Sequence, residues 1–356
     1  MSILEKLMKI STIKESDILS DSKLFEKEDM VPTAVPMLNV ALSGRLDGGL
    51  VPGITMFAGP SKHFKTAFSL MMVKAYMEKY PDAAVLFYDS EFGAPQAYFK
   101  TFGIDTSRVL HTPVTDIEQL KFDITAQLNG IDRGDKVIVV IDSVGNLASK
   151  KEAEDALDGK SVGDMSRAKQ LKSLFRIVTP HLKLKNIPMI IVNHTYMEIG
   201  MFPKAIVGGG AGPYYSADNI YIIGRQQEKD NKEDAKEVTG YSFIINVEKS
   251  RFVKEKSKIP IEVSFDGGIS PWSGLLDIAL ESGHVIKPKN GWYQKVDMET
   301  GEIGDKNYRQ DDTYTKDFWL PILKAKSFRT FIENKYMMAT GSIMSDQELT
   351  DIYGED

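Results

Sequence analysis

The chain contains no cysteine among its 356 residues. Disulfides, thiolate metal sites and thiol nucleophiles are thereby excluded, and the absence suits a reducing cytoplasm. Histidine is scarce. His63, His111, His181, His194 and His284 stand apart with no HxxxH or HExxH spacing, so a zinc enzyme is not indicated. No apolar run approaches the ~20 residues that a membrane helix needs. Lys6 and Lys9 have no apolar segment after them, so a signal peptide is not expected. Positive charge is also in deficit, with a net charge of −6. Any nucleic acid must therefore be met by a local basic patch, because the field of the whole molecule opposes it. What remains is ordinary for a soluble globular protein: 42% hydrophobic and 26% charged residues. The length suits one large domain with extensions, or two domains.

Residues 1–30 are polar, with apolar Ile3, Leu4, Leu7 and Met8 at helical spacing. Two readings fit this segment, a helix packed on its own domain or an arm that docks on a neighbouring subunit. From residue 31 strands and helices alternate. The strands are expected at 54–58, 83–89, 108–112, 136–142, 187–193, 218–224, 240–249 and 257–265. The helices are expected at 66–80, 94–102, 116–130 and 164–184. Strands separated by helices imply an α/β fold with a mostly parallel central sheet covered on both faces. The last two strands read as a terminal hairpin, and the polar run from Gln226 to Glu237 reads as an exposed loop. After residue 270 the strand rhythm gives way to a small mixed region. Its Trp292 and Trp319, with Trp272 at its start, read as core and docking residues. The expected division is an arm over 1–30, a core over 31–269 and a small C-terminal domain over 270–356.

The chemistry gathers around Gly59-Pro60-Ser61-Lys62-His63-Phe64-Lys65-Thr66, between an apolar strand and an amphipathic run. A loop in that setting surrounds an anion with backbone N–H groups and a positive helix end. Lys65 would reach the β- and γ-phosphates, and the Thr66 hydroxyl would ligate Mg²⁺. Phe64 stands where the G-x-x-x-x-G-K-[ST] pattern has its second glycine, a position that needs permissive backbone angles. A second apolar strand ends at Asp142, which can sit beside that Mg²⁺ directly or through water. A third ends in Asp89-Ser90-Glu91. Ligands of open α/β sheets bind beyond the carboxyl ends of the strands, which makes Glu91 a candidate general base for water attacking the γ-phosphate. A fourth ends at Asn193 and His194, where a polar side chain could sense the γ-phosphate. The stretch Thr195 to Gly212, with Gly208-Gly209-Gly210, is long for a connector and reads as a mobile segment governed by nucleotide. In the helix over 164–184, Lys169, Lys172 and Arg176 share one face, while Met165, Ala168, Leu171, Phe175 and Val178 recur on another. Across 163–185, Arg167, Lys169, Lys172, Arg176, Lys183 and Lys185 face only Asp164. This is the local basic stripe that the net charge demands.

These four strand ends resemble the core of the RecA-type recombinases, most closely the branch from T-even-type bacteriophages. The segments GPSKHFKT, LFYDSEFG, VIDSVGNLASKKEAEDAL, NIPMIIVNHTY, VEKSRFVKEKSK and DGGISPWSGLLD carry that resemblance in the same order over nearly the whole chain. It implies a RecA-like ATPase core with an N-terminal docking arm and a small C-terminal domain. It also implies a DNA-dependent ATPase that uses ATP and Mg²⁺ and forms helical filaments on single-stranded DNA. Such a protein promotes pairing and strand exchange with duplex DNA in recombination, repair and recombination-dependent replication. Partners would include single-stranded-DNA-binding and mediator proteins, no membrane, and for a phage protein the host cell cytoplasm. By the same resemblance Lys65, Thr66 and Asp142 fall on the Walker positions and Glu91 on the catalytic glutamate. Tyr98 falls on the aromatic that stacks on adenine, and Asn193 with His194 on a switch pair whose second member is glutamine in bacterial RecA. Residues from about 155 to 164, with Arg167 just beyond, match the first DNA-binding loop. Residues 195–212, including Lys204, Gly208, Gly209 and Gly210, match the second. Lys249 and Arg251 match two cations that reach the nucleotide of the adjacent protomer. Phe64 is shared with the phage branch. Pro95 replaces an acid near the adenine amine, which leaves strict adenine selection open. Two other classes share parts of the pattern. A ring helicase or translocating motor uses the same core, and a non-hydrolysing DNA-coating protein would follow if Phe64 disabled the loop. Intact Glu91 and Asp142 argue against the latter.

Overall fold

The computed structural model describes residues 2–13, 15–22, 29–159, 166–198, 200–201, 203–229 and 238–338. Helices α1 (Ile3–Ile10) and α2 (Pro36–Ser43) precede β1 (Gly53–Ala58). There follow α3 (Lys65–Lys79), β2 (Ala84–Asp89), α4 (Gln96–Thr101), β3 (Val109–Pro113), α5 (Ile117–Gly130) and β4 (Val137–Asp142). Next come α6 (Lys150–Leu157), α7 (Ser166–Lys185) and β5 (Pro188–Asn193). A short hairpin, β6 (Thr195–Met197) with β7 (Ala205–Val207), leads to α8 (Ala211–Ser216). Strands β8 (Asn219–Lys229), β9 (Val238–Lys249), β10 (Lys258–Ser264) and β11 (Gly268–Ile269) complete the main sheet. Beyond it lie α9 (Leu275–Glu281), β12 (Val285–Lys289), β13 (Trp292–Lys295), α10 (Lys316–Lys324) and α11 (Lys326–Tyr336).

Among the described residues the main sheet has nine strands in the order β11-β10-β9-β8-β1-β5-β4-β2-β3. From β8 to β3 every neighbouring pair is parallel, and β9, β10 and β11 continue the sheet antiparallel. The central strands β1, β4 and β5 are buried along their full length. That is why they read as unbroken apolar runs: helices cover both faces, so no position faces water. On one face α5 and α7 pack Ile124, Leu128, Leu171, Phe175 and Val178 against the sheet. On the other, Val40 of α2 and Phe68 of α3 join Trp319, Phe328 and Ile332 of the C-terminal helices in one continuous core. Trp319 is 1% exposed. Trp292 is half-buried under the Arg309 guanidinium, whose centre lies 3.9 Å from the ring.

Three differences from the sequence pattern have physical reasons. Gln226–Lys229, expected to open a loop, instead extends β8 and pairs with Tyr241, Ser242, Gly240 and Val238. An antiparallel strand with a wet face tolerates polar residues, so polarity alone misreads it. The rest of that run, 230–237, lies outside the described residues. Helix α2 was not foreseen. Its residues from Met37 to Ser43 are all buried, so it carries no amphipathic period, although Pro36 at its start and Gly44 after its end are fitting boundaries. Within the 164–184 helix, Ala168 is exposed rather than part of the apolar face, and Met165 lies outside the described residues.

Helix α1 forms as its spacing predicts, capped reciprocally by Ser2 and Glu5. Among the described residues none of its side chains is buried: Ile3 is 73% exposed and Leu7 58%. Among the described residues no helix is long and apolar enough to cross a membrane.

Candidate functional site

Strands β1, β5, β4 and β2 end side by side, so the loops that follow them share one rim of the sheet. There an open cleft of about 400 Å³ is bounded by Lys62, Lys65, Thr66, Glu91, Tyr98 and Asp142. Gly59, Pro60, Ser61 and His63 complete the loop from β1 to α3. The amino end of α3 has no side-chain cap, which leaves its first N–H groups available to an anion.

Phe64 answers the question raised by the missing glycine. It adopts the left-handed conformation that a glycine would supply, at φ +62°. For a residue with a side chain this costs about 1–2 kcal/mol. The ring recovers part of that by stacking on Phe243 at 4.7 Å and meeting the edge of Phe68 at 5.6 Å. Aromatic pairs of this kind contribute ~0.5–1.5 kcal/mol each beyond burial. The loop therefore keeps its shape without its usual glycine.

The Thr66 hydroxyl donates to Asp142 Oδ2 at 2.7 Å. Asp142 Oδ1 is buried and without a hydrogen-bond partner among the described residues. Burial drives the Asp142 carboxyl up to about 6, with the charges of Glu91 and Asp89 adding to the effect and the Thr66 bond opposing it. A hydroxyl and a buried, under-partnered carboxylate are the hard oxygen donors that Mg²⁺ takes, one or two from protein and the rest from water and phosphate. The residues fit that ion. Among the described residues no three acidic or imidazole side chains converge as a cage of their own.

The Lys65 ammonium donates to the Pro60 carbonyl at 2.7 Å, and burial lowers its pKa against the pull of Glu91 and Asp142. Glu91 Oε1 lies 2.8 Å from His194 Nε2 and accepts from the Ser143 hydroxyl at 3.2 Å. The His194 bond, opposed by desolvation and aided by Ser143 and Lys65, holds this carboxyl below its ordinary range. Ser143 was not singled out from the sequence; only the fold brings it to residues 91 and 194. Tyr98, half-buried on α4, lines the far wall of the cleft.

The end of β5 is bonded directly to the glycine-rich segment. Asn193 Nδ2 donates to the Gly208 carbonyl at 2.8 Å, and the Gly208 N–H donates to the His194 carbonyl at 2.9 Å. Gly212 sits against α7, where an added Cβ would meet the Lys172 backbone at 2.6 Å. Residues 195–212 are thus a hairpin and a helix start seated on α7 rather than irregular chain, with 199 and 202 outside the described residues. Lys169, Lys172, Arg176 and Lys204 are exposed. Gly209 and Gly210 lie between α7 and α8. Arg167 differs: its guanidinium donates to the carbonyls of Val144, Gly145 and Leu147, anchoring the segment after Asp142. Of the expected first DNA-binding loop, 155–157 end α6, and 160–164 lie outside the described residues.

Lys249 and Arg251 are not at this cleft. β9 runs antiparallel to β8 and brings Lys249 beside Ile220, while β8 pairs Asn219 with Thr55. The pair therefore stands at the amino-terminal rim, opposite the rim that carries Lys65. Lys249 donates to the carbonyls of Tyr214, Tyr215 and Ala217. Arg251 pairs with Asp218 at 2.6 Å, and Asp218 also holds Lys183 and the Ile54 N–H.

A sequence profile of the RecA N-terminal domain matches residues 9–270. The chain belongs to the RecA family. A second profile, described as the C-terminal domain of the bacteriophage T4 recombination and repair protein, matches residues 272–332. The "Recombination and repair protein" of Enterobacteria phage T4 is 54% identical over 346 residues, covering 96% of this chain and 87% of that protein. "Protein RecA" of Francisella tularensis subsp. novicida is 25% identical over 307 residues, covering 84% of this chain and 81% of that one. Within this RecA-family chain the mostly parallel sheet and its carboxyl rim are thereby placed in a known fold.

Two outcomes follow from the geometry. Phe64→Ala keeps the left-handed backbone and loses the ring, whereas Phe64→Gly relaxes the backbone; urea unfolding should find the glycine variant more stable than the alanine one by about 1 kcal/mol. An alanine variant equal to or better than glycine removes backbone strain from the account. Asp142 is harder to ionise folded than unfolded, so its contribution to apo stability is present at low pH and lost as pH rises through about 6. The stability of wild type minus Asp142→Asn, measured without metal or nucleotide, should fall from about pH 4 to pH 6 and level off above it; a flat difference across that window contradicts the raised pKa.

Proposed function

We propose that this chain is a DNA-dependent ATPase that polymerises on single-stranded DNA and promotes homologous pairing and strand exchange with duplex DNA. The observation that carries the reading is that Lys249 and Arg251 are held towards the opposite rim of the sheet and line no part of the cleft of Lys65, Thr66, Asp142 and Glu91. One chain offers half of a phosphoryl-transfer site on each rim, so consecutive copies complete it. Membership of the RecA family and the likeness to the phage T4 recombination and repair protein support the same activity.

In this reading Gly59 to Thr66 cradle the triphosphate, Lys65 neutralises its β- and γ-oxygens, and Tyr98 stacks on the base. Thr66 and Asp142 would hold Mg²⁺, which would supply charge neutralisation for the phosphates. A water attacks the γ-phosphorus, Glu91 takes its proton, and the bridging oxygen departs with ADP. Lys249 and Arg251 of the next copy stabilise the charge on the transferred group. Loss of the γ-phosphate reaches Gly208 through Asn193 and His194, and so alters the exposed basic face of Lys169, Lys172, Arg176 and Lys204. Binding through phosphates explains indifference to sequence and predicts strong salt sensitivity. Residues 1–30 serve as the docking arm, consistent with the apolar stripe that α1 leaves uncovered. Residues 31–269 are the ATPase and DNA-binding core, and 270–356 a small C-terminal domain. Single-stranded-DNA-binding and mediator proteins are expected partners, in the cytoplasm of an infected host cell.

Glu91→Gln should bind ATP normally and turn it over ~10²–10⁴-fold more slowly on single-stranded DNA; unchanged turnover strips Glu91 of its role. The shared site is tested by mixing. Lys65→Ala and Arg251→Ala should each lack DNA-stimulated ATPase, yet co-assembled filaments should regain it where an intact loop meets an intact arginine. If mixtures stay silent while both variants enter filaments seen by electron microscopy, the trans assignment is wrong.

A further inference from the structure

Asp89 closes β2 one residue before Ser90-Glu91, and its side chain has no part in the scheme above. It is 3% exposed, and a buried carboxylate must be met by donors. Its Oδ1 accepts the N–H of Glu91 at 3.1 Å and the N–H of Phe92 at 2.7 Å. Its Oδ2 meets Nε2 of His111 at 3.0 Å. If Oδ2 accepts here as Oδ1 does, that ring nitrogen carries the hydrogen. β3 pairs His111 with Phe87 of β2, and the imidazole lies near-parallel to the Phe87 ring at 6.1 Å. Strand β3 therefore holds the ring, the ring holds the carboxylate, and the carboxylate holds the backbone from which Glu91 projects.

That backbone needs holding. Phe92 adopts φ +55°, a left-handed conformation that a non-glycine residue leaves readily unless it is fixed. Two bonds to one ionised acceptor fix it, and bonds of that kind are stronger than neutral ones. The loop in turn sets where the Glu91 carboxylate meets His194 and Ser143.

We propose that Asp89 and His111 are a positioning pair that sets the general base. The proposal deepens, and rests on, the reading of Glu91 as that base. Losing the imidazole leaves Asp89 Oδ2 buried and unpaired, so the carboxylate turns and loosens its hold on residues 91 and 92. A shift of about 1 Å at a reacting group is enough to cost ~10²-fold in rate. His111 is not among the residues lining the cleft of Lys65 and Thr66, so on this reading ATP affinity survives its loss. Its side chain is 47% exposed, beside a cleft of about 380 Å³ lined by Phe92, Pro95, Phe99 and Val109, so its removal leaves the core intact. Asp89 also raises the Asp142 carboxyl through its charge, and for that reason the test goes through His111.

The full chain is assayed on single-stranded DNA with Mg²⁺ and ATP. His111→Ala should lower kcat ~5–50-fold while KM and the Kd for ATP stay within about 2-fold. His111→Gln, whose amide N–H reaches the same carboxylate, should recover to within ~3-fold of wild type. In a Glu91→Gln background His111→Ala should lower kcat by less than about 2-fold, because the group it positions is already disabled. A normal kcat in His111→Ala beside a slowed Glu91→Gln overturns the pair and leaves Glu91 in place. Equal losses from His111→Ala in both backgrounds also overturn it, as the mark of general weakening. Unaltered turnover in Glu91→Gln overturns the reading of the base, and the pair with it.

Discussion

A carboxylate buried without a full set of donors is costly, and this fold builds one on purpose at the end of its central strand. Asp142 keeps one oxygen on Thr66 and, among the described residues, the other has no hydrogen-bond partner. The neighbouring cation offers no direct relief, since the Lys65 ammonium rests on the Pro60 carbonyl. Opposite charges held apart in a partly dry cleft are an unfinished electrostatic arrangement. On the proposed reading a divalent cation and a polyphosphate would complete it together, the metal satisfying the acid and the phosphates the ammonium and the end of α3. Preorganisation of this kind needs no rearrangement of dipoles during reaction. It also explains why the apo cleft has a carboxyl that resists ionisation beside another that favours it. Asp142 is dominated by burial, whereas Glu91 is dominated by its bond to His194.

The sheet converts that local tension into something the rest of the molecule can read. Strand β5 is buried along its whole length between β1 and β4, so its end cannot drift independently of the cleft. Its last side chain grips Gly208, and the helix after Gly210 lies against α7 with no room for a Cβ at residue 212. A change at His194 would, on the proposed reading, pass through these hydrogen bonds of ordinary length and this close helix contact. On the proposed reading, grip on DNA is set by the same bonds that report the phosphate.

Much of this was legible from residue order. Strands buried on both faces give long apolar runs, and four of them ending in polar or acidic residues locate the rim without any structure. Helix α7 was legible because Leu171, Phe175 and Val178 recur at its period. What escaped had a common cause, in that pairing across the fold leaves no trace in local sequence. Ser143 meets Glu91, and His111 meets Asp89, only because β4 and β3 flank β2. The polar end of β8 looked like a loop, since its partner β9 lies beyond the unpatterned run. Helix α2 hid because its burial on all sides erased the period that marks a helix. Phe64 looked like a defect in the loop until its stacking on Phe243, far along the chain, gave a reason for its backbone.

The position of the two cations decides what kind of machine these parts make. Antiparallel β9 returns Lys249 and Arg251 to the rim opposite Lys65, and buried Asp218 fixes Arg251 there between Lys183 and the backbone of β1. Held by Asp218 and by the carbonyls before β8, they line no part of the Lys65 cleft, so on the proposed reading a single copy cannot bring them to its own nucleotide. Two copies stacked rim to rim can, and the stack does not close on itself unless its rotation happens to complete a circle. Nucleotide affinity and subunit affinity are then one linked quantity: whatever strengthens the first must strengthen the second by the same factor. On the proposed reading, the exposed apolar residues of α1 are the surface through which each copy would engage the next regardless of nucleotide. Under that arrangement hydrolysis loosens one contact while the other persists, and a filament can change its grip on a strand without falling apart.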